Sequence, residues 1–517
     1  MLRRALIVLL LWPLSSYSQD DLVDFDLVNF HSQAEKIAFT NYVRKGQPDH
    51  FALFMANGSL LNDSRVAAAR TRLYNFLANY QNEKFSSKKP DRKTKQVYDE
   101  MHKEFLLKFE NGTSFEQIFY NGNYSSLAAT GMYALAFDHL KIPYAIKEEP
   151  DHVYLMAYPQ TEKIRIEVTS PMLQILAPSD EFKAQYVKTL KDQKLILPAE
   201  HTQSTKQIFE KYFYGDQQGI TLPNLVGLQY LAQVVQLLQE NSYEIAFAQA
   251  EKAYLLYPSP KAAYFMMVAG SGAFDKRTQL DSLKAIQLAK ISRYTSQGIT
   301  PEMIQSEFIR VAQVLLFERS KPSELEAFYK ILHPRIQHVG LKNDIDFVFN
   351  YETGRFFYNS AKYSEALPYF EKAVRCKPDM LDATNGFISV IAMKMSQTGD
   401  NRDLLKMLES YSSELPSLHE HNNFNSILMG SYLLQVAADY DNNAIQQAEG
   451  NRLRFEELKS KYPDAQTNVQ LVAQAYSRAA VYFFRKGQKQ KARTLIDTGL
   501  KYSPNNYELM MRKRMME

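Results

Sequence analysis

One spacing constrains this chain more than any other feature. Between Phe347 and Met380, Gly354 and Phe357 are followed by Ala366, Phe370, Ala373 and Pro378. A small and a large residue on a first helix, then alanines on a second, let two helix backbones approach closely. The proline closes the unit because it cannot continue a helix. The same frame fits Leu237, Ala246, Ala250, Ala253 and Pro258, and again Ala480, Phe483, Ala492, Ile496, Gly499 and Pro504. A recurring helix pair cannot bury its apolar face alone and must stack on its neighbours, so an array is predicted rather than a globule. Ala262 to Met267, Ser282 to Ser292, Met303 to Phe317 and Asp403 to Tyr411 read as further helix pairs with degraded signatures.

This frame resembles the tetratricopeptide repeat, a helix–turn–helix unit of about 34 residues. The resemblance covers roughly half of the chain, from 226 to 517. It implies an all-α solenoid whose concave face binds a peptide or protein partner. Near-neutrality fits such a partner better than a nucleic acid: Lys+Arg 61 against Asp+Glu 57 gives only +4, without the basic excess that phosphate binding needs. No glycine-rich phosphate loop appears, and no cofactor is expected.

The 517 residues exceed what one core holds, about 250 to 300, so at least two domains or a repeat array are expected. Met1 to Ser18 has a basic start (Arg3, Arg4), an apolar run from Ala5 to Leu14 and small residues at Ser15, Ser16 and Ser18. That is the pattern of a secretory signal, and its apolar run is shorter than the ~20 residues a membrane span needs. Later, Leu225 to Leu238 is interrupted by Gln229, Gln233 and Gln236. The expectation is an exported protein, periplasmic or extracellular, with no span after signal cleavage. Four glycosylation sequons, at Asn57, Asn62, Asn111 and Asn123, read as polar loops.

The single cysteine, Cys376, excludes an intramolecular disulfide, a cysteine zinc site and an iron–sulfur cluster. Near the end of the best repeat's second helix, it is expected to be a small buried hydrophobe. His419 and His421 flank Glu420 without a spaced third ligand, which gives weak support for a metal.

Residues 19–95 read as a helical lead. Phe25 to Tyr80 is helical in pattern, with Val66, Ala69, Leu73, Phe76 and Leu77 on one stripe. Phe85 to Lys95 is polar, basic and contains a proline, so a loop is expected, and Gln96 to Phe109 resumes a helix.

Residues 96–200 carry the segment closest to chemistry, with 201–225 as a connector. In NGNYSSLAATGMYALAFDHL, Ser125 or Ser126 stands where an N-cap would, which places Ser126 at a helix N-terminus. There the macrodipole and unpaired N–H groups stabilise an anionic nucleophile or an oxyanion. His152 to Tyr158 and Lys163 to Thr169 alternate with period two around Pro159 to Glu162, the pattern of a β-hairpin. A two-residue loop sets His152 opposite Glu167. A four-residue loop sets Tyr154 opposite Glu167 and His152 opposite Thr169. Either parity puts His152 and Glu167 on one face, matching the base and orienter of a nucleophilic triad.

These residues resemble the transglutaminase-like branch of the papain-like superfamily, in particular exported bacterial proteins with such a domain before tetratricopeptide repeats. The matching segments are Tyr124-Ser125-Ser126 with Ala128 to Ala134, Ile142-Pro143-Tyr144, Lys147 to Tyr154, and Ile166 to Pro171. The resemblance implies an α+β domain in which His152 is the general base and Glu167 fixes its tautomer. The family's nucleophile is the cysteine of a Tyr-Asn-Cys triplet, and here that position is Ser126. Such a site holds its sulfur as a thiolate, a state a serine hydroxyl does not reach near neutral pH. The expectation is therefore a catalytically silent domain beside a binding solenoid. The alternatives are a serine-dependent acyl transferase or amidase/peptidase using Ser126, His152 and Glu167, and a purely structural envelope scaffold.

Overall fold

The structure is a computed structural model that describes residues 22–58, 63–149, 152–166, 180–192, 196, 200, 202–209, 211–212, 219–294, 298–397 and 401–516. The signal segment expected at 1–18 lies outside the described residues. The molecule is mostly helical with few strands, as a helical array requires. It divides into two compact units. The first runs to Ile304 and takes in Ala327–His338; the second comprises Gln305–Glu326 and Val339 onward. Among the described residues no helix is long and apolar enough to cross a membrane.

In the first unit, the lead forms α1 (Gln33–Val43), α2 (His50–Ala56), α3 (Asp63–Ala78) and α4 (Pro90–Phe105). Ala69, Leu73 and Leu77 of α3 are buried on the expected stripe. The loop expected over Phe85 to Lys95 is corrected: Glu83–Ser86 makes a short helical turn capped by Asn82, and Pro90 starts α4 at its first position. Proline loses nothing there, because that N–H has no intrahelical partner anyway. Thr94, Val97, Met101 and Phe105 are buried on one face of α4, and the basic Arg92 and Lys95 are exposed. The helix stops before Phe109, which joins Lys108 in β1 (Lys108–Phe109) and pairs in parallel with β2 (Asn123–Tyr124).

Behind β2 runs α5 (Ser126–His139), buried at every residue from Ser126 to Phe137. Gly131 is needed here, since a Cβ would sit 2.4 Å from the Phe54 ring of α2. Against α5 packs a three-stranded antiparallel sheet, β3 (Tyr144–Glu149), β4 (His152–Ala157) and β5 (Ile164–Ile166), in that order. Leu155 pairs with Ile166 and Ala157 with Ile164, which is the register of the four-residue loop. The outer edge of β3 is closed by a bridge from Ile146 to Ile220, just before α6 (Leu222–Gln239). Next come α7 (Tyr243–Leu256), α8 (Pro260–Lys276) and α9 (Ser282–Ile291).

The second unit contains α10 (Val339–Asn359), α11 (Tyr363–Cys376), α12 (Leu381–Gln397), α13 (Asn401–Glu414), α14 (Asn422–Asp441), α15 (Ile445–Lys461), α16 (Val469–Arg485), α17 (Lys489–Tyr502) and α18 (Tyr507–Met515). One connector recurs across both units, between α6 and α7, α10 and α11, α14 and α15, and α16 and α17. Its central residues, Asn241, Ala361, Asn443 and Gly487, all have positive φ, from 56° to 79°. Each makes the same paired closure: Ser242, Lys362, Ala444 and Gln488 donate backbone N–H bonds of 2.8–2.9 Å to Leu237, Phe357, Asp439 and Phe483. This is the Schellman termination, which satisfies the last carbonyls of a helix. Four residues after each of these donors stands a fully buried alanine, Ala246, Ala366, Ala448 or Ala492.

Ring-against-glycine contacts hold the array. The Phe370 ring of α11 lies between α10 and α12, where a Cβ on Gly354 or Gly386 would come within 3.1 or 2.5 Å of it. That contact is the physical reason for the small residue at Gly354. Cys376 requires a correction: it is exposed. It lies about 100° around the helix from the middle of the stripe of Ala366, Phe370, Ala373 and Val374. Its partial burial and then the Asp346 charge push the thiol up, opposite to what a reactive thiolate needs.

Candidate functional site

The site expected from the sequence begins where β2 turns into α5. Ser125, not Ser126, is the N-cap: its Oγ accepts the Ala128 N–H at 3.4 Å and its hydroxyl donates to the Thr113 carbonyl at 2.8 Å. Ser126 is the first helical residue and is 2% exposed. Two ring layers stand nearby. Tyr124 meets His102 of α4 edge-on at 5.9 Å, and Tyr98 stacks on Tyr133 of α5 at 5.3 Å. Tyr133 donates its hydroxyl to the Tyr98 carbonyl, and burial pushes its pKa far up.

Of the three residues expected to act together, the structure places Ser126 fully. His152 is the first residue of β4, paired with Glu149 of β3, and its side chain lies outside the described residues. Glu167 lies outside them too, one residue past the described end of β5. What is described is the scaffold: a helix N-terminus at Ser126 and a hairpin packed against that helix. Cavities of about 210, 360, 470 and 550 Å³ lie elsewhere in this unit, and Ser126 lines none of these. The one of about 550 Å³, beside Tyr80, His139, Lys141 and Tyr158, lies at the opposite end of α5.

The hairpin is anchored by charges that sequence reasoning missed. Glu148 of β3 accepts from Tyr257 at 2.5 Å and from Lys261 of α8 at 2.7 Å, with both charged side chains less than a tenth exposed. A second cluster ties α1 to the helical hairpins. The fully buried Glu35 carboxylate accepts from Tyr230 and Lys252, each at 2.9 Å, and is 2.8 Å from His31 Nδ1. Burial raises its pKa, but the hydrogen bond to His31 and the charge of Lys252 outweigh that and hold it below the ordinary value. Beside it, Glu251 pairs with Lys290 at 2.7 Å, yet burial outweighs the lysine and holds Glu251 above its ordinary value. The available signal was the pair Glu251-Lys252 inside the otherwise apolar AQAEKAYLL of α7.

A metal at His419 and His421 finds no support in the donor set. Both ring nitrogens of His419 are engaged, by Asn425 and Ser412. No group of three or more ligand-type residues is found among the described residues. Compared with models of known protein families and with curated proteins, the chain matches none.

Proposed function

We propose that this is an exported interaction protein: a transglutaminase-like α+β domain that does not turn over, joined to a tetratricopeptide-type array that binds a peptide or protein partner. The observation that carries the reading is Ser126 at the first position of α5, where the resembled family has its cysteine. A buried serine hydroxyl at a helix N-terminus has the dipole but not the acidity that a thiol would bring to it. The recurring connectors and their buried alanines support the array half of the reading.

The wild-type protein is expected to show no acyl transfer to amines and no hydrolysis of glutamine or other amide substrates. Sustained turnover that Ser126→Ala abolishes would overturn the proposal. The second reading, a serine-dependent acyl transferase or amidase/peptidase using Ser126, His152 and Glu167, draws support from the packing of β4 on α5. It requires Ser126 to react with a fluorophosphonate and to lose that reaction in His152→Ala.

A further inference from the structure

Three polar side chains line up where α13 turns into α14. Ser412 lies on α13, His419 in the turn Pro416–Glu420, and Asn425 in the first turn of α14. Ser412 Oγ is 2.7 Å from His419 Nε2, and His419 Nδ1 is 2.7 Å from Asn425 Oδ1. The tautomer follows from the bonding. Asn425 Nδ2 donates to the His419 carbonyl at 2.8 Å, so the amide oxygen faces the ring, and an amide oxygen only accepts. Nδ1 therefore carries the proton, Nε2 keeps its lone pair, and the Ser412 hydroxyl donates to it.

The imidazole is also held in place. Tyr462 stacks on it at 5.1 Å with the planes 2° apart, and Phe424 meets it edge-on at 5.5 Å. Asn425 is fully buried, whereas Ser412 and His419 are half-buried and open to solvent. Beside them α14 starts at Asn422 with no side chain capping its first turn, and the Phe424 and Asn425 N–H groups bond back to the His421 carbonyl.

We propose that Ser412 is an activated nucleophile, with His419 as its base and Asn425 as a positioning residue, acting on carboxylic esters presented from solvent. An ester is the substrate class named because its alkoxide leaves a tetrahedral intermediate more readily than an amide's amine, so the step asks least of a serine that is open to solvent. Oγ bonds to the ester carbonyl carbon as its proton passes to Nε2, and the carbonyl π pair moves onto oxygen. On collapse the bond to the leaving alkoxide breaks, and that oxygen takes the proton from Nε2. Water then cleaves the acyl-serine by the same route, releasing the carboxylic acid and restoring the hydroxyl. Ser126 has no part in this chemistry.

The test is fluorophosphonate labelling of the full chain, with the labelled peptide mapped by mass spectrometry, alongside hydrolysis of p-nitrophenyl acetate. Label is expected on Ser412, at a rate about 100-fold lower in His419→Gln, the scale of a lost general base. Asn425→Leu should slow labelling and Asn425→Asp should restore it, because a carboxylate also accepts from Nδ1–H. Ester hydrolysis should fall in Ser412→Ala at an unchanged melting temperature. An unlabelled Ser412 in folded wild type, an equal rate in folded His419→Gln, or hydrolysis indifferent to Ser412→Ala would each overturn the proposal.

Discussion

Helical hairpins of one design occur in both units, yet ion pairs with both partners buried tie the hairpins of the first. In the first unit, Glu35–Lys252, Glu148–Lys261 and Glu251–Lys290 are ion pairs with every side chain less than a tenth exposed. In the second, pairs such as Arg454–Glu409 and Lys513–Asp497 are a third to more than half exposed, and where a charge is enclosed its partner keeps more water, as with Arg452 at 12% beside Glu449 and Glu456 at 22% and 23%, or Asp439 at 2% beside Arg402 at 58%. The first unit's hairpins also meet α1, β3 and α5, so faces that would otherwise meet water are covered. The difference teaches that the connector and the alanine set the hairpin, while its surroundings decide whether a charged residue is a solvated surface group or an internal tie. Buried pairs add little net stability over apolar replacements, but half of one left behind is costly.

That contrast can be broken most directly at Lys252. Lys252→Ala leaves the buried Glu35 carboxylate with only His31 and Tyr230 and should cost about 3 kcal/mol, read as a fall in the urea midpoint. Replacing both partners together, Glu35→Leu with Lys252→Leu, should restore most of that loss; if it costs as much as the single change, the pair is a net stabiliser and the comparison fails. Glu35 also gives the wild type a pH signature. Its folded pKa lies below the ordinary 4.5, so its contribution is present above that value and lost as pH falls through the depressed one. The gap in stability between wild type and the double variant should narrow over that acid range.

In the second unit the counterpart is Gly386→Val. The added atoms meet the Phe370 ring and should destabilise by about 1–3 kcal/mol, with no dependence on salt or pH. Ala361→Gly should raise stability by about 1 kcal/mol, because alanine pays a steric penalty at positive φ that glycine does not. The smallest effect is expected at the rim: Arg454→Ala should cost about 0–1 kcal/mol and lose even that in high salt.

The hairpin Phe347 to Met380 was legible because Gly354, Ala366 and Ala373 face rings and backbones whose identities lie within the same few dozen residues. The hairpin α14–α15 was not. Its connector and Ala448 are the same, but Arg452 falls where the other hairpins have Ala250, Phe370 or Ile496, Phe455 falls where they have Ala253, Ala373 or Gly499, and its second helix has 17 residues against 14 in α7, α11 and α17. Ser126 was placed correctly at a helix N-terminus because capping is local. The tie between Glu35 and Lys252 spans 217 positions, and no local pattern marks a charge that a distant segment will bury. His419 drew notice only for its neighbour His421. Its partners sit seven residues before it and six after, on two different helices, a spacing without meaning until the turn at Pro416 folds.

The longer α15 shows how such a chain can vary in length. All four connectors stop the first helix on one left-handed residue and start the second at one distance from a buried alanine. The three additional residues of α15 therefore fall at its far end and turn its exit by about 60° short of a full revolution. Insertions and deletions are absorbed at that end, so each hairpin has a fixed elbow and a forearm of adjustable length.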